Sequence, residues 1–215
     1  MGPRRDWSLL PDEPIEQIAN NLLAKDLTEY LRFRAVCQSW RRPTADPRNF
    51  SNHFRPHNWI LLMDHDGSIK GQHRQFLNIS TGNLLRVHVP ELRNPDYLVS
   101  AVADGLLLLW HIDTGCLFLL NPFTRAMVRL PKFVYPNRAG VCTRYPVISG
   151  AVVTSSLTVI LCPSESELIA IAKLGDLSWQ FFCQERLLSS SLFFKGCLYA
   201  VSLGNTITRF ESATK

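Results

Sequence analysis

Residues 97–122 read YLVSAVADGLLLLWHIDTGCLFLLNP, three short apolar runs cut apart by Asp104-Gly105 and Thr114-Gly115. Each run is long enough for a buried strand and too short for a stable helix. Asp-Gly and Thr-Gly between apolar runs are hairpin signals, because glycine takes the positive φ that tight turns need. This stretch therefore predicts antiparallel strands joined by tight turns.

The same texture runs from residue 58 to the end. WILLMDHDG, RQFLNISTGNLLRVHVP, ISGAVVTSSLTVILCP, LIAIAKLGDLSWQFF and SSSLFFKGCLYAVSLGNTITRFE are all β-branched or leucine-rich runs broken by turn residues. A weak repeat overlies them. Gly67 and Gly105 are 38 apart, and Gly105, Gly150 and Gly196 follow at 45 and 46. Each glycine is expected at a turn beside an apolar strand, and a period of roughly 40–50 residues is the size of a four-strand propeller blade. Residues 145–164 carry no charge, but Pro146, Gly150, Pro163 and Thr154-Ser155-Ser156 suit a spanning helix poorly. GAVVT and LTVILC read better as two buried strands around a Thr-Ser-Ser turn.

The first fifty residues follow a different period. In LLPDEPIEQIANNLL, residues Ile15, Ile18, Ala19, Leu22 and Leu23 recur on one helical face, with Asp12 as a candidate N-cap and Pro14 in the first turn. Asp26 with Glu29 resembles a capping box for a second helix. The following segment, EYLRFRAVCQSWRR, holds four arginines among three aromatics. If it is one continuous helix, Phe33, Val36, Cys37 and Trp40 form one stripe with Tyr30 at its margin. Arg32, Arg34, Arg41 and Arg42 then scatter around the wheel, as solvated flanks whose stems cover apolar surface.

Scattered arginines argue against a nucleic-acid helix, and so does the charge distribution. Net charge is +5, yet residues 1–50 hold eight Lys/Arg against seven Asp/Glu, and residues 51–215 hold fifteen against eleven. No run or face gathers the excess. Neither nucleic acid nor membrane is expected as a partner. The six cysteines never form a CxxC pair and lie mostly in apolar surroundings, which fits free thiols in a reducing compartment. MGPRRDWSLL has no apolar signal core, and Asp6 stands where a myristoylation motif needs Ser or Thr. Cytoplasm or nucleus is the expected location.

Residues 10–41 carry a family resemblance. Leu10-Pro11, the Ile15/Ile18/Leu22 helix, Asp26-Leu27, and then Arg34, Val36, Cys37, Trp40 and Arg41 are similar to the F-box pattern. CLFLLNPFTRAMVRLP and SLFFKGCLYAVSLGNTI resemble the kelch-like propeller region that follows the F-box in a large group of plant proteins. The resemblance implies an α+β multidomain chain: a three-helix F-box (1–45), a linker (46–57) and an all-β, kelch-like propeller region of about four blades (58–215). It also implies a non-catalytic substrate receptor of an SCF-type cullin–RING ubiquitin ligase. The F-box would dock on a Skp-family adaptor, and through it a cullin, while the β-region holds an unknown protein substrate for ubiquitination. Leu9, Leu10, Pro11, Ile15, Ile18, Leu22, Leu27, Val36 and Trp40 carry over as adaptor contacts. No catalytic residue, cofactor or metal is implied, and the substrate-binding residues are unknown. Helices this apolar in a unit of about 40 residues must complete their core by docking on something else.

Two departures qualify the match. Pro14 stands where the family commonly has an aliphatic residue. Members of this type also run well beyond 215 residues, so both a closed and an incomplete, edge-exposing propeller stay open. A second reading is a stand-alone interaction or regulatory module that occupies the adaptor without delivering substrate.

Other constellations point to less. His53, His57 and His65 near Asp64 and Asp66 lack a fourth ligand at a defined spacing. No GxSxG or Cys-His spacing marks a nucleophile. Ser189-Ser190-Ser191 reads as a strand-entry turn, and Asn78-Ile79-Ser80 as a chance sequon. Trp59, Trp110 and Trp179 are expected in the cores of different blades, and Tyr135 to Arg144 is a candidate binding loop.

Overall fold

A computed structural model describes residues 6–62, 72–93, 97–103, 105–134, 148–163, 166–194, 197–202, 204 and 206–211. Backbone alone is described at 100–103, 149, 152, 166, 184–194, 197, 198, 210 and 211. His65, Asp64, Asp66, Gly67, Gly196 and the 135–144 loop lie outside the described residues.

Three helices come first: α1 (Asp12–Lys25), α2 (Leu27–Ala35) and α3 (Gln38–Arg41), preceded by a 3-10 turn at Trp7–Leu9. Pro11, not Asp12, is the N-cap of α1, so Asp12 and Glu13 act through their charge in its first turn. Asp26 caps α2, its Oδ1 accepting from the Thr28 amide at 2.7 Å. Glu29 pairs with Arg32 instead of closing a capping box.

The chain is not one helix from Glu29 to Arg42. It breaks at Val36-Cys37, where Cys37 is extended (φ −157°) and starts the short α3. The break turns Val36 outward, 63% exposed, while Trp40 folds back to stack on Phe33 with ring centroids 4.6 Å apart. The expected single stripe is thus split. Ile15, Ala19, Leu27, Tyr30 and Phe33 form the buried core of this unit.

Apart from 3-10 turns at Asn52–Phe54 and Pro90–Arg93, all else among the described residues is strand and turn. Sheet one joins β1 (Trp59–Leu62), β2 (His73–Asn78) and β3 (Leu84–His88). Sheet two joins β4 (Tyr97–Ala103), β5 (Leu106–His111), β6 (Cys116–Leu120) and β7 (Met127–Lys132). Sheet three joins β8 (Ile148–Val153), β9 (Thr158–Pro163), β10 (Ser166–Lys173), β11 (Gln180–Phe194), β12 (Cys197–Ser202) and β13 (Ile207–Glu211). Every pairing is antiparallel between chain neighbours, and the uncharged 145–164 stretch supplies β8 and β9. No helix is long and apolar enough to cross a membrane among the described residues.

Among the described residues the strands form three sheets, and the long β11 joins the last six strands into one. Its first part pairs with β10 and its last part with β12, Leu188 facing both Ser166 and Ser202. A four-strand unit, β8 to β11, thereby runs on into β12 and β13. Ser189-Ser190-Ser191 lies inside this strand, not at a turn. Gly150 is likewise within β8, at a register shift. Gly105 does sit at a turn.

The sheets pack face to face, with sheet two in the middle. In β5, Leu106, Leu108 and Trp110 point into the core shared with sheet three. Leu107 and Leu109 point into the core shared with sheet one. A strand covered on both faces explains why LLLLW is a continuous apolar run. The inter-sheet contacts repeat. Arg125, in the β6–β7 turn, donates to the His88 carbonyl at the end of sheet one (3.3 Å). Trp179, before β11, donates to the Pro131 carbonyl at the end of sheet two (2.9 Å). Trp59, Trp110 and Trp179 are all buried. This succession of stacked antiparallel sheets is propeller-like.

Candidate functional site: the face of the helical unit

The residues expected to contact a partner divide by burial. Ile15 and Leu27 are fully buried within the helical core. Leu10, Leu22 and Trp40 are half-buried against it. Pro11 is exposed at the start of α1. Leu9 (78% exposed), Val36 (63%) and Ile18 (42%) stay open to solvent, and Trp7 joins them. The Trp40 indole Nε1 donates to the Trp7 carbonyl at 2.9 Å, tying the 3-10 turn to α3. The buried members shape the scaffold; the exposed ones are what a partner can touch.

The other side of the helical unit is already covered by this chain. Phe54 is buried in the helical core, and Phe123 from the β6–β7 turn packs on it too. Phe123 also meets Trp59 and Phe76 of sheet one at ring-centroid distances of 5.2 and 5.1 Å. Part of the completing partner that a small helical core demands is therefore the β-region itself.

The segment expected as a linker is a packed wedge. Phe54, Arg55 and Pro56 are buried. Arg55 donates to the carbonyls of Val153 (2.6 Å) and Thr154 (3.0 Å) in sheet three. Asn121 donates to the Phe54 carbonyl (2.6 Å), and its own Oδ1 accepts from the amides of Phe123 and Thr124. Asn121-Pro122-Phe123-Thr124 thus folds into a turn that presents Phe123 to the helices. The composition of 46–57, rich in Pro, Arg and Asn, hides this role, because its partners are distant backbone carbonyls.

The arginines also differ from expectation. Arg34 is half-buried and donates to the carbonyls of Thr44 (2.6 Å) and Ala45 (2.7 Å). Its guanidinium lies 5.8 Å from the Tyr30 ring centroid, and the Tyr30 hydroxyl donates to the same Ala45 carbonyl (2.6 Å). Arg41 Nε returns to the Arg34 carbonyl (3.2 Å). Arg34 staples the exit from α3 and is not a solvated flank; Arg32 and Arg42 are exposed and pair with Glu29 and Asp12.

Asp26 connects the helices to sheet one. Besides capping α2, its Oδ1 accepts from the Thr28 hydroxyl (2.8 Å) and the Trp59 indole (3.3 Å), and its Oδ2 from the Asn78 amide (2.7 Å). Asn78 is buried, its Oδ1 accepting from the Ser80 and Thr81 amides. The Asn78 sequon is therefore closed to glycosylation in the folded chain. Among the described residues no three His, Cys, Asp or Glu side chains gather as a metal site. Cys37 and Cys116 are free thiols.

Two family models match this architecture. The F-box domain model covers residues 7–42, and the KIB1-4 beta-propeller model covers residues 76–215. The chain belongs to the KIB1-4 β-propeller family. It carries an F-box ahead of that propeller, and the helical face described above is the face of that F-box. An F-box/kelch-repeat protein of Arabidopsis thaliana is 25% identical over 212 residues, 94% of this chain and 53% of the relative. An F-box protein of the same plant is 31% identical over 125 residues, covering 56% of this chain and 31% of the relative. The chain thus spans about half or less of the curated relatives it matches. Among solved structures, YCF48 from Cyanidioschyzon merolae aligns with a TM-score of 0.43 at 11% identity, covering 74% of this chain and 52% of that one.

Proposed function

We propose that this chain acts as a substrate-recognition subunit of an SCF-type cullin–RING ubiquitin ligase, working in the cytoplasm or nucleus. The F-box docks on a Skp-family adaptor, which joins it to a cullin, and the propeller region recruits a protein substrate. The subunit itself performs no chemistry. Its contribution is proximity: a held substrate meets the ubiquitin-loaded enzyme at a high effective concentration.

The observation that carries this reading is the F-box at residues 7–42 with Leu9, Ile18 and Val36 left exposed. Large aliphatic side chains open to water on a unit whose other side is covered are what an interface centre uses. Trp40 and Leu10 act behind that face, holding the 3-10 turn and α3 in place.

The test follows from the burial pattern. Leu9→Asp combined with Val36→Asp removes exposed anchors and leaves the core intact. The double variant is expected to lose capture of a purified Skp-family adaptor while melting at the wild-type temperature. Retained capture by a folded double variant would overturn the docking face. In a reconstituted ligase, ubiquitin chains on a captured partner separate a working receptor from a module that only occupies the adaptor.

A further inference from the structure

We infer that Asp26 is a positioning residue: its carboxylate fixes the F-box to the first sheet of the propeller, so that both present their surfaces in one set orientation. This goes beyond adaptor docking and does not depend on it, because every contact involved lies within this chain.

The carboxylate divides its two oxygens between two jobs. Oδ1 faces the α2 amide of Thr28 and is what any N-cap needs. Oδ2 is not required for capping and accepts from the side-chain amide of Asn78, at the end of β2. The Trp59 indole, at the start of β1 and cross-strand from Asn78, donates to the same carboxylate. Two strands of one sheet therefore hold one helix terminus. Asn78 cannot turn its amide over without losing the Ser80 and Thr81 amides from its Oδ1, so its donor is committed to Asp26.

The surrounding packing makes this bond an orienting one. Phe54 and Phe123 press on the helical core from the same chain, but aromatic contacts are weakly directional and permit sliding. Arg55, Asn121 and the close approach of Gly105 to Pro56 fasten the connecting wedge to sheets two and three. The paired Asp26 bonds are a direct polar link from the N-cap of α2 to sheet one. A charge-assisted, two-donor contact fixes angle as well as distance.

The pair can be inverted without changing its charge. In Asp26→Asn the capping oxygen remains, but the new amide faces the Asn78 amide, donor against donor. In Asn78→Asp the turn contacts remain, but two carboxylate oxygens meet. In the double exchange, Asn at position 26 donates to Asp at position 78, and the bond returns reversed. The measurement is the distance distribution between spin-labelled unnatural amino acids at exposed Gln17 and Asp113, in the full chain alone. A narrow distribution is expected for the parent, a broadened or shifted one for each single exchange, and a narrow one again for the double. Loss of folded protein in a single exchange with recovery in the double supports the inference equally. Unchanged distributions in both folded singles, or no recovery in the double, would overturn it. Adaptor capture is read separately, so failure here leaves the docking proposal standing on its own test.

Discussion

Arg34 Nη1 lies 2.6 Å from the carbonyl oxygen of Thr44 and 2.5 Å from its hydroxyl, binding the end of α2 to the chain that leaves α3. A cation held between backbone acceptors on an F-box helix is a staple for the segment that leads into the wedge. Replacing it with lysine keeps the charge but loses the planar, multi-donor fork. Arg34→Lys is expected to cost about 1–2 kcal/mol and Arg34→Ala about 2–3 kcal/mol. Urea unfolding with an unchanged slope would show both as losses of native stability. A wild-type midpoint for Arg34→Ala would mean the staple carries nothing.

The roles of Arg34 and Arg55 show where the sequence stopped being readable. The strands of the propeller were legible from alternating and continuous apolar runs with glycine turns, because burial on one or two faces writes itself into side-chain period. LLLLW at 106–110 is the clearest instance, its residues dividing by parity between two cores. The helices were legible for the same reason. The cation roles were not, since their acceptors are carbonyls, which every residue possesses. The outward turn of Val36 was hidden by the assumption of one helix, which the extended Cys37 breaks. Of the residues that the F-box resemblance implies as adaptor contacts, the resemblance could not separate the exposed Leu9, Ile18 and Val36 from the buried Ile15 and Leu27.

Arg55 gives a second stability prediction. Its guanidinium is buried and donates to the Val153 and Thr154 carbonyls at the β8–β9 turn. In Arg55→Met the aliphatic volume is roughly kept, while the Val153 carbonyl loses this donor away from water. A cost of about 2–3 kcal/mol is expected. Faster amide exchange should concentrate at residues 153–158 and spare α1. Uniformly faster exchange would instead indicate that the wedge holds the whole chain.

Asp46 provides the pH prediction. The Arg48 side chain and backbone amide both donate to its carboxylate, with Nη2 at 2.6 Å, and hold its pKa down from the ordinary 3.8 to about 2. A depressed carboxylate stabilises the folded state fully above its ordinary value, and that contribution disappears as pH falls from about 3.8 through about 2. The site is exposed, so the effect on overall stability is small. Carboxyl-carbon NMR should find the Asp46 midpoint near 2 in the parent, moving upward in Arg48→Ala. A parent midpoint at the ordinary value would remove the Arg48 contact as a persistent feature of the turn.

Two glycines with nearly the same φ separate strain from crowding. Gly82 has φ +74° in the β2–β3 turn, and a Cβ placed there meets nothing within 4 Å. Gly105 has φ +75° in the β4–β5 turn, and a Cβ there falls 2.5 Å from the Pro56 carbonyl oxygen and 2.7 Å from its Cγ. Both alanine variants take on the left-handed conformational cost of about 1–2 kcal/mol. Only Gly105→Ala must also push the wedge off the propeller, against the Asn121 and Arg55 bonds that hold it. Gly82→Ala is expected to stay near about 1 kcal/mol. Gly105→Ala should exceed it by about 2 kcal/mol or more, as overpacking against fixed backbone does, and should loosen the contact of Phe54 with the F-box core. Thermal and urea unfolding of the two variants side by side provide the comparison. Equal losses would mean that Pro56 yields freely, and that the wedge is not seated on the β4–β5 turn as tightly as the 2.5 Å approach requires.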